Sequence, residues 1–149
     1  MTTLPSQSVV KAYSQASHTV PKTQQIVMLY DGALRFMMQA REAMERGDIE
    51  TRYNKLVRVG DIIMGLQASL DFEAGGNVAQ VLYDFYSVID MRILALHQQS
   101  NVQECDSIIQ DLRDMRMAWA SIAGDASTKD SSDGAQGVEA QPLSGSLSA

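Results

Sequence analysis

The sequence has few residues that restrict or cross-link a chain. It contains one cysteine, Cys105, so no intramolecular disulfide can form. Only three prolines occur, at positions 5, 21 and 142. Because proline is the strongest breaker of helices, the proline-free stretch 22–141 allows long, uninterrupted helices.

Positive charge and long apolar runs are also scarce. The 149 residues include 12 Lys and Arg against 18 Asp and Glu, a net charge of −6. This balance argues against a protein that neutralises a nucleic-acid backbone or binds an anionic lipid surface. No uncharged apolar run approaches the ~18 residues that a membrane-spanning helix needs. With no signal peptide evident and a lone cysteine, we expect a cytoplasmic protein.

The residue patterns that carry catalysis are missing as well. Neither His18 nor His97 belongs to a Glu-x-x-His pair, and no Gly-rich phosphate loop follows a strand. His97 is open to two interpretations, a phospho-acceptor or a cation at a helix C-terminus. Cys105 lies on an apolar stripe and is most simply a small core residue. We therefore predict no enzymatic activity, no cofactor and no metal site.

What the chain does contain is apolar residues that recur every three or four positions. This spacing predicts helices and no strands. The first helix is expected from Pro21 or Thr23 to Arg46, and the others over about 49–70, 77–98 and 102–123. Short connections between them favour an antiparallel up-down arrangement.

Residues that end or cap helices separate these segments. Gly47 ends the first helix and Asp48 caps the second. Gly75 and Gly76 predict a break. Two further cap signals place a polar partner three residues after an asparagine: Asn77 with Gln80, and Asn101 with Glu104.

The two ends of the chain differ from its middle. Residues 1–20 are predicted to form an irregular, flexible leader, in which Val9, Val10 and Tyr13 are the apolar exceptions. Residues 124–149 are small, polar and Gly/Ser-rich, and predict a disordered tail. The predicted fold class is all-α: an antiparallel up-down four-helix bundle over 21–123, flanked by this leader and tail.

One stretch, IVMLYDGALRF at 26–36, is apolar on more than one side of its helix. Such a helix is either buried all round or keeps part of its apolar surface for a partner. Asp31 has three possible roles here, as a solvated surface residue, in a structural hydrogen bond or in a partner contact. Gly32 is either a site of close packing or a tolerated glycine.

Three segments in order give the sequence a specific resemblance: MLYDGALRF at 28–36, LDFEAGG at 70–76 and LRDMRMAW at 112–119. Together they closely resemble the flagellar secretion chaperone family, commonly called FliS. The similarity covers about residues 10–122.

The resemblance implies an antiparallel four-helix bundle without catalytic activity. It implies a cytosolic chaperone that binds the C-terminal region of flagellin one-to-one and prevents premature polymerisation. It also implies delivery of flagellin to the flagellar type III export apparatus, with export-gate components as further candidate partners. The competing interpretation is a self-associating structural bundle without a flagellin client.

The candidate client-binding residues come from several helices. The resemblance places Tyr53 and Asn54 at a polar position that the family uses against its client. Tyr30 is either a core residue or a hydroxyl at a groove edge, and the leader is a candidate cover for the client site. The full set is Tyr13, Leu29, Tyr30, Tyr53, Asn54, Val57, Asp61, Met64 and Val81.

Overall fold

The computed structural model describes residues 7–17 and 22–134, and the side chains of residues 7–14 and 23–124. This part contains five helices and no strand, which confirms the prediction of an all-helical fold. The helices are α1 (Gln7–Ser17), α2 (Lys22–Arg46), α3 (Ile49–Ala68), α4 (Phe72–Gln98) and α5 (Val102–Gly134).

Contacts between α2, α3, α4 and α5 show the direction in which each helix runs. In three neighbouring pairs, positions that advance along one helix meet positions that recede along the other, so these neighbours are antiparallel. The pairs are Asp31 with Arg116 and Arg41 with Asp106 for α2 and α5, Gly32 with Ile62 and Phe36 with Lys55 for α2 and α3, and Arg52 with His97 and Gln67 with Ser87 for α3 and α4. Helix α1 packs against both α4 and α5.

The core lies along the common axis of these helices and receives large side chains from α2, α3, α4 and α5. Burying one such apolar side chain contributes about 1.5–3 kcal/mol. The fully buried large residues are Trp119, Tyr30, Tyr86, Met37, Leu56, Ile63, Leu82, Ile89, Ile93, Leu96, Ile108 and Leu112. Cys105 is also fully buried, as predicted, and burial raises the pKa of its thiol to about 11.

Two of the predicted helix caps form as expected. Asp48 accepts a hydrogen bond from the backbone N–H of Thr51 at 3.1 Å and caps α3. Asn101 accepts one from the N–H of Glu104 at 3.1 Å at the start of α5. These side chains satisfy donors that the first helical turn leaves unpaired.

The predicted break at Gly75 and Gly76 is present, but it lies within α4, whose first turn begins earlier than expected, at Phe72. The Asp71 side chain accepts a hydrogen bond from the N–H of Ala74 at 2.9 Å and caps this earlier start. Gly76 then interrupts the helical geometry with φ 50° and ψ −124°. The glycine pair therefore kinks α4 after its first turn instead of preceding the helix.

The predicted irregular leader is wrong over residues 7–17, which form α1. Val10, Tyr13 and Ser14 are all buried on one face of this helix. Polar residues weaken the intrinsic preference for a helix here, but burial of a face against other helices overrides that preference. Leader residues 1–6 and 18–20 lie outside the described part of the chain.

The predicted tail is also shorter than expected at its start, because α5 continues through residues 124–134. Adding residues to an existing helix avoids the unfavourable nucleation step, so a polar segment can extend it. Residues 135–149 of the predicted tail lie outside the described ranges. Within those ranges, no helix has both the length and the apolar character that a membrane crossing requires.

The questions posed by stretch 26–36 have structural answers. The Asp31 carboxylate pairs with the Arg116 guanidinium of α5 at 2.5 Å, so Asp31 has a structural partner. Gly32 faces α3, where a Cβ atom would meet Ile62 at 3.5 Å, an ordinary packing distance. Tyr30, Ala33 and Met37 enter the core, and Met28 stays exposed.

Candidate functional site

Two of the three nominated tyrosines, Tyr13 and Tyr30, are buried. Tyr30 is fully buried and its hydroxyl donates a hydrogen bond to the Tyr86 hydroxyl at 2.9 Å. Burial raises the pKa of Tyr30 well above its usual value, so this hydroxyl stays protonated at any physiological pH. Tyr30 is thus a core residue, and a direct contact with a client would require the core to open.

Tyr13 anchors α1 to the rest of the molecule. Its ring meets Trp119 edge-on, with ring centroids 6.1 Å apart, and its hydroxyl accepts a hydrogen bond from the N–H of Asp71 at 2.8 Å. The ring packs on the backbone of Gly75, where a Cβ atom would lie only 2.7 Å from it. The docking of α1 therefore depends on a glycine at the start of α4.

A cavity of about 760 Å³ opens beside the docked tyrosine. Its wall is mainly apolar and brings together residues from α1, α2, α3, α4 and α5. The lining includes Tyr13, Leu29, Leu66, Phe72, Tyr86 and Trp119. Leu29, a nominated residue, is partly exposed and borders this cavity.

Apolar side chains also line the outer face of α3. Tyr53, Val57 and Met64 lie at i, i+4 and i+11, so they share one side of the helix. All three are exposed, and Met64 is 62% exposed. Gly60 lies between them, next to α4. A helix with apolar residues on its solvent side as well as its core side has surface available for a partner.

The adjoining side of α4 continues this surface. Tyr83 and Leu94 are exposed on the side of α4 that faces α3, and Ser87 and Asp90 lie between them. Rings mark both ends: Phe72 contacts Tyr83 with centroids 5.7 Å apart, and Tyr53 contacts His97 at 5.1 Å. We call this surface the α3/α4 groove. It is formed by Tyr53, Val57, Gly60 and Met64 of α3 and by Tyr83, Ser87, Asp90, Leu94 and His97 of α4.

Polar contacts fasten the two helices beneath this groove. The Gln67 side chain donates hydrogen bonds to the Tyr83 carbonyl at 3.1 Å and to the Ser87 hydroxyl at 2.7 Å. At the other end, the buried Arg52 guanidinium donates to the His97 carbonyl at 2.9 Å and to the Ser100 hydroxyl. The groove is therefore built on helices whose relative position is set.

Arg52, and not His97, supplies the positive charge at the C-terminus of α4. Burial lowers the pKa of His97, and the nearby Arg52 lowers it further, while Asp90 acts in the opposite direction. His97 is consequently neutral near pH 7. The expectation of a histidine cation at this helix end is wrong because another helix provides the cation.

The structure brings some of the nominated residues together and separates others. Tyr53, Val57 and Met64 belong to the groove. Asn54 and Asp61 are exposed further round α3, on the side away from α4. Val81 is exposed on α4 but lies about 200° round the helix from Tyr83, so it is outside the groove.

Reasoning from the sequence missed residues of the groove, of its end and of the α1 docking site. Leu94 lies eleven residues after Tyr83, and this helical spacing was the available signal for it. Phe72 was placed in a connection because the following glycines resembled a break. Nothing in the sequence distinguished Gly75, whose role depends on the ring of Tyr13.

No group of three or more His, Cys, Asp or Glu side chains in the described ranges has the geometry to hold a metal ion. What this surface offers is apolar area with a few polar groups. Such a surface suits the binding of another polypeptide.

Comparisons with known proteins agree with a single family. The family model described as "Flagellar protein FliS" matches residues 6–126. The chain is similar to the flagellar secretion chaperone FliS of Salmonella typhimurium, with 32% identity over 130 residues, covering 83% of this chain and 96% of the relative. It is also similar to the flagellar secretion chaperones FliS of Campylobacter jejuni, with 32% identity over 74% of this chain and 88% of the relative, and of Vibrio cholerae, with 30% identity over 65% and 71%.

Proposed function

This chain belongs to the FliS family of flagellar secretion chaperones, and we propose that it binds the C-terminal segment of flagellin one-to-one in the cytoplasm. In this role it is a binding protein and not an enzyme. It prevents premature polymerisation of flagellin and aids its delivery to the flagellar type III export apparatus. The observation that supports this proposal most strongly is the row of exposed apolar side chains along α3 and α4.

The dimensions of the α3/α4 groove fit a helical client. Tyr53 and Met64 are eleven residues apart, which corresponds to about 16 Å, or three helical turns, along α3. A segment that packs as an amphipathic helix in an assembled filament has an apolar face to bury when it is free. Laying that face into a groove between two helices is a recurrent mode of peptide recognition.

Helix α1, which packs on α4 and α5, is proposed as a displaceable cover of a second apolar site. Its anchors, Val10 and Tyr13, occupy an apolar site that a client helix could take over, and the adjoining cavity of about 760 Å³ enlarges that site. Deleting residues 1–15 should then raise the binding of an apolar dye by the free protein. Unchanged dye binding would show that α1 covers nothing that a client could use.

The decisive experiment is calorimetric titration of the full chain with the C-terminal segment of flagellin from the same organism, at two temperatures. We expect one-to-one binding with a strongly negative heat-capacity change, because folding of the segment is coupled to burial of apolar surface. Gel filtration should show a heterodimer of the same stoichiometry.

The alternative, a structural bundle that associates with itself through the same apolar surface, predicts the opposite results. Titration with the flagellin segment would then give no heat, and the elution volume of the chain alone would depend on its concentration. Contacts with export-gate components would be tested afterwards, with the chaperone–flagellin complex as the probe.

A further inference from the structure

Asp90 is a carboxylate without a counter-charge inside the α3/α4 groove. Its side chain is half-buried, and its Oδ1 atom lies 3.9 Å from the place where a Cβ atom of Gly60 would be. Among the side chains that the structure describes, none donates a hydrogen bond to this carboxylate or forms an ion pair with it. Asp31, Asp106 and Asp111, in contrast, are each paired with an arginine of the same bundle.

The charged and titratable neighbours of Asp90 leave its charge uncompensated. His97 stands about two turns further along α4, but its pKa is lowered by burial and it is neutral near pH 7. The Arg52 guanidinium is directed at the His97 carbonyl and the Ser100 hydroxyl, not at Asp90. The remaining groove side chains are apolar or uncharged, so the carboxylate is partly desolvated and unneutralised.

Gly60 keeps the space over this carboxylate open from the outside. A larger residue at position 60 would place a side chain between Asp90 and solvent. With glycine there, a helix lying in the groove can approach closely and extend a long side chain down to the carboxylate. The recess is also central, since Gly60 lies about one turn from both Val57 and Met64.

We infer that the α3/α4 groove selects a helical segment that carries a lysine or arginine within its apolar stripe, and that Asp90 receives this cation over Gly60. This inference rests on the proposed function, because flagellin is the expected source of the segment. The matching segment has apolar side chains three or four residues before and after the cation, which contact Val57 and Met64. A cation in such a stripe would be unfavourable against a purely apolar groove, so Asp90 provides specificity as well as affinity.

The test compares Asp90→Asn with Asp84→Asn in titrations with the C-terminal flagellin segment. Asparagine keeps the shape of aspartate and removes its charge. Asp84 is on the same helix but is exposed and already accepts a hydrogen bond from Gln80 at 2.9 Å, so it is a matched control. We expect Asp90→Asn to weaken binding by about tenfold or more and Asp84→Asn by less than about twofold. Asp90→Asn should also reduce the dependence of the affinity on salt, because the variant lacks the ion pair that salt screens in the wild type.

A double-mutant cycle separates the ion pair from a general structural effect. Each lysine and arginine of the flagellin segment is replaced by glutamine in turn and titrated against both the wild type and Asp90→Asn. One of these replacements should weaken binding to the wild type but cause no further loss with Asp90→Asn. If all replacements act independently of Asp90, or if Asp90→Asn binds like the wild type, the inference is wrong.

The outcomes distinguish this inference from the proposed function. Unaltered binding by Asp90→Asn, together with loss of binding by Met64→Glu, would overturn the Asp90 ion pair and leave the chaperone function standing. Absence of binding by the wild-type chain would overturn both.

Discussion

The α2/α5 seam and the α3/α4 groove are both surfaces between neighbouring antiparallel helices, but they differ in how their side chains are paired. Across the seam, Arg41 binds Asp106 at 2.5 Å and Arg116 binds Asp31 at 2.5 Å. Arg41 also pairs with Glu45 of its own helix at 2.7 Å. Across the groove, exposed apolar side chains surround one carboxylate without a counter-charge. The same bundle thus has one surface whose charged side chains pair with each other, and another whose apolar side chains and carboxylate are available to a partner.

The ion pairs of the seam are too exposed to account for the stability of the bundle. Pairs of this kind contribute only about 0–1 kcal/mol each. Their effect on binding is larger, because a helix that docks on the seam must desolvate or separate charges that already have partners. Under the proposed function, the seam therefore disfavours a docked helix and the groove favours one.

The largest expected effect is a difference in client affinity between two exposed methionines. Met64 in the groove and Met117 on α5 are 62% and 66% exposed, so glutamate at either position should change the free energy of unfolding by less than about 0.5 kcal/mol. Met64→Glu should weaken binding of the flagellin segment by about 10–100-fold, as loss of a central apolar contact does. Met117→Glu should leave it unchanged in the same calorimetric titration. Equal losses would mean that the groove has no special role.

A smaller effect is expected at the site where α1 docks. In Gly75→Ala the new Cβ would lie 2.7 Å from the Tyr13 ring, and overpacking of this kind costs about 1–3 kcal/mol. The α1 amides should then exchange hydrogen at least about tenfold faster, while the amides of the α2/α5 seam keep their protection. Gly124→Ala is the control, since nothing lies within 4 Å of the added atom. Unchanged exchange in α1 would show that Tyr13 can shift without undocking the helix.

Breaking the seam should have a still smaller effect. Arg116→Gln removes the pair with Asp31 and should lower the free energy of unfolding by less than about 1 kcal/mol, with a smaller loss at high salt. Chemical denaturation at two salt concentrations measures this. Affinity for the flagellin segment should not change. A clear loss of affinity would place part of the client site on the seam.

The smallest effect concerns pH and the end of the groove at His97. Because burial and Arg52 lower the pKa of His97, the folded protein binds this proton less readily than the unfolded chain does. The neutral His97 therefore contributes its full share to the free energy of unfolding above the usual histidine pKa of about 6.5. This contribution is lost as the pH falls through the lower pKa that His97 has in the folded state. His97→Gln should therefore flatten the decline of the unfolding free energy below about pH 6.5. If the unfolding free energy of His97→Gln declines as steeply as that of the wild type, the decline is caused by other titratable residues.

Much of the fold could be predicted because helical periodicity is a local property. The apolar spacing located α2 and α3 to within about two residues, and Asp48 and Asn101 identified the caps of α3 and α5. The start of α4 was missed because a glycine pair predicts a break wherever it occurs. Whether such a pair ends a helix or kinks it depends on what packs against it, and here that is the ring of Tyr13.

The candidate site was predictable only in part, for a related reason. Tyr53 was nominated from the family resemblance, Val57 as lying one turn further along α3, and Met64 as a methionine suited to an adaptable surface. Val81 was nominated because it lies beside the main apolar stripe of α4, but it is on the other side of α4 from the groove. Periodicity shows which residues share a side of a helix, but it does not show which neighbouring helix that side meets.

Two aspartates show which properties the sequence determines and which depend on the tertiary structure. The sequence by itself determined α2 and α3, the caps of α3 and α5 and the family, because these depend on local spacing and on residue identity in order. In the sequence, Asp31 and Asp90 are both acidic residues within apolar stretches. Folding gave Asp31 a partner 85 residues away, Arg116, and left Asp90 opposite Gly60. A charge is paired or available according to what lies across from it in space, and only the packing of the helices decides that.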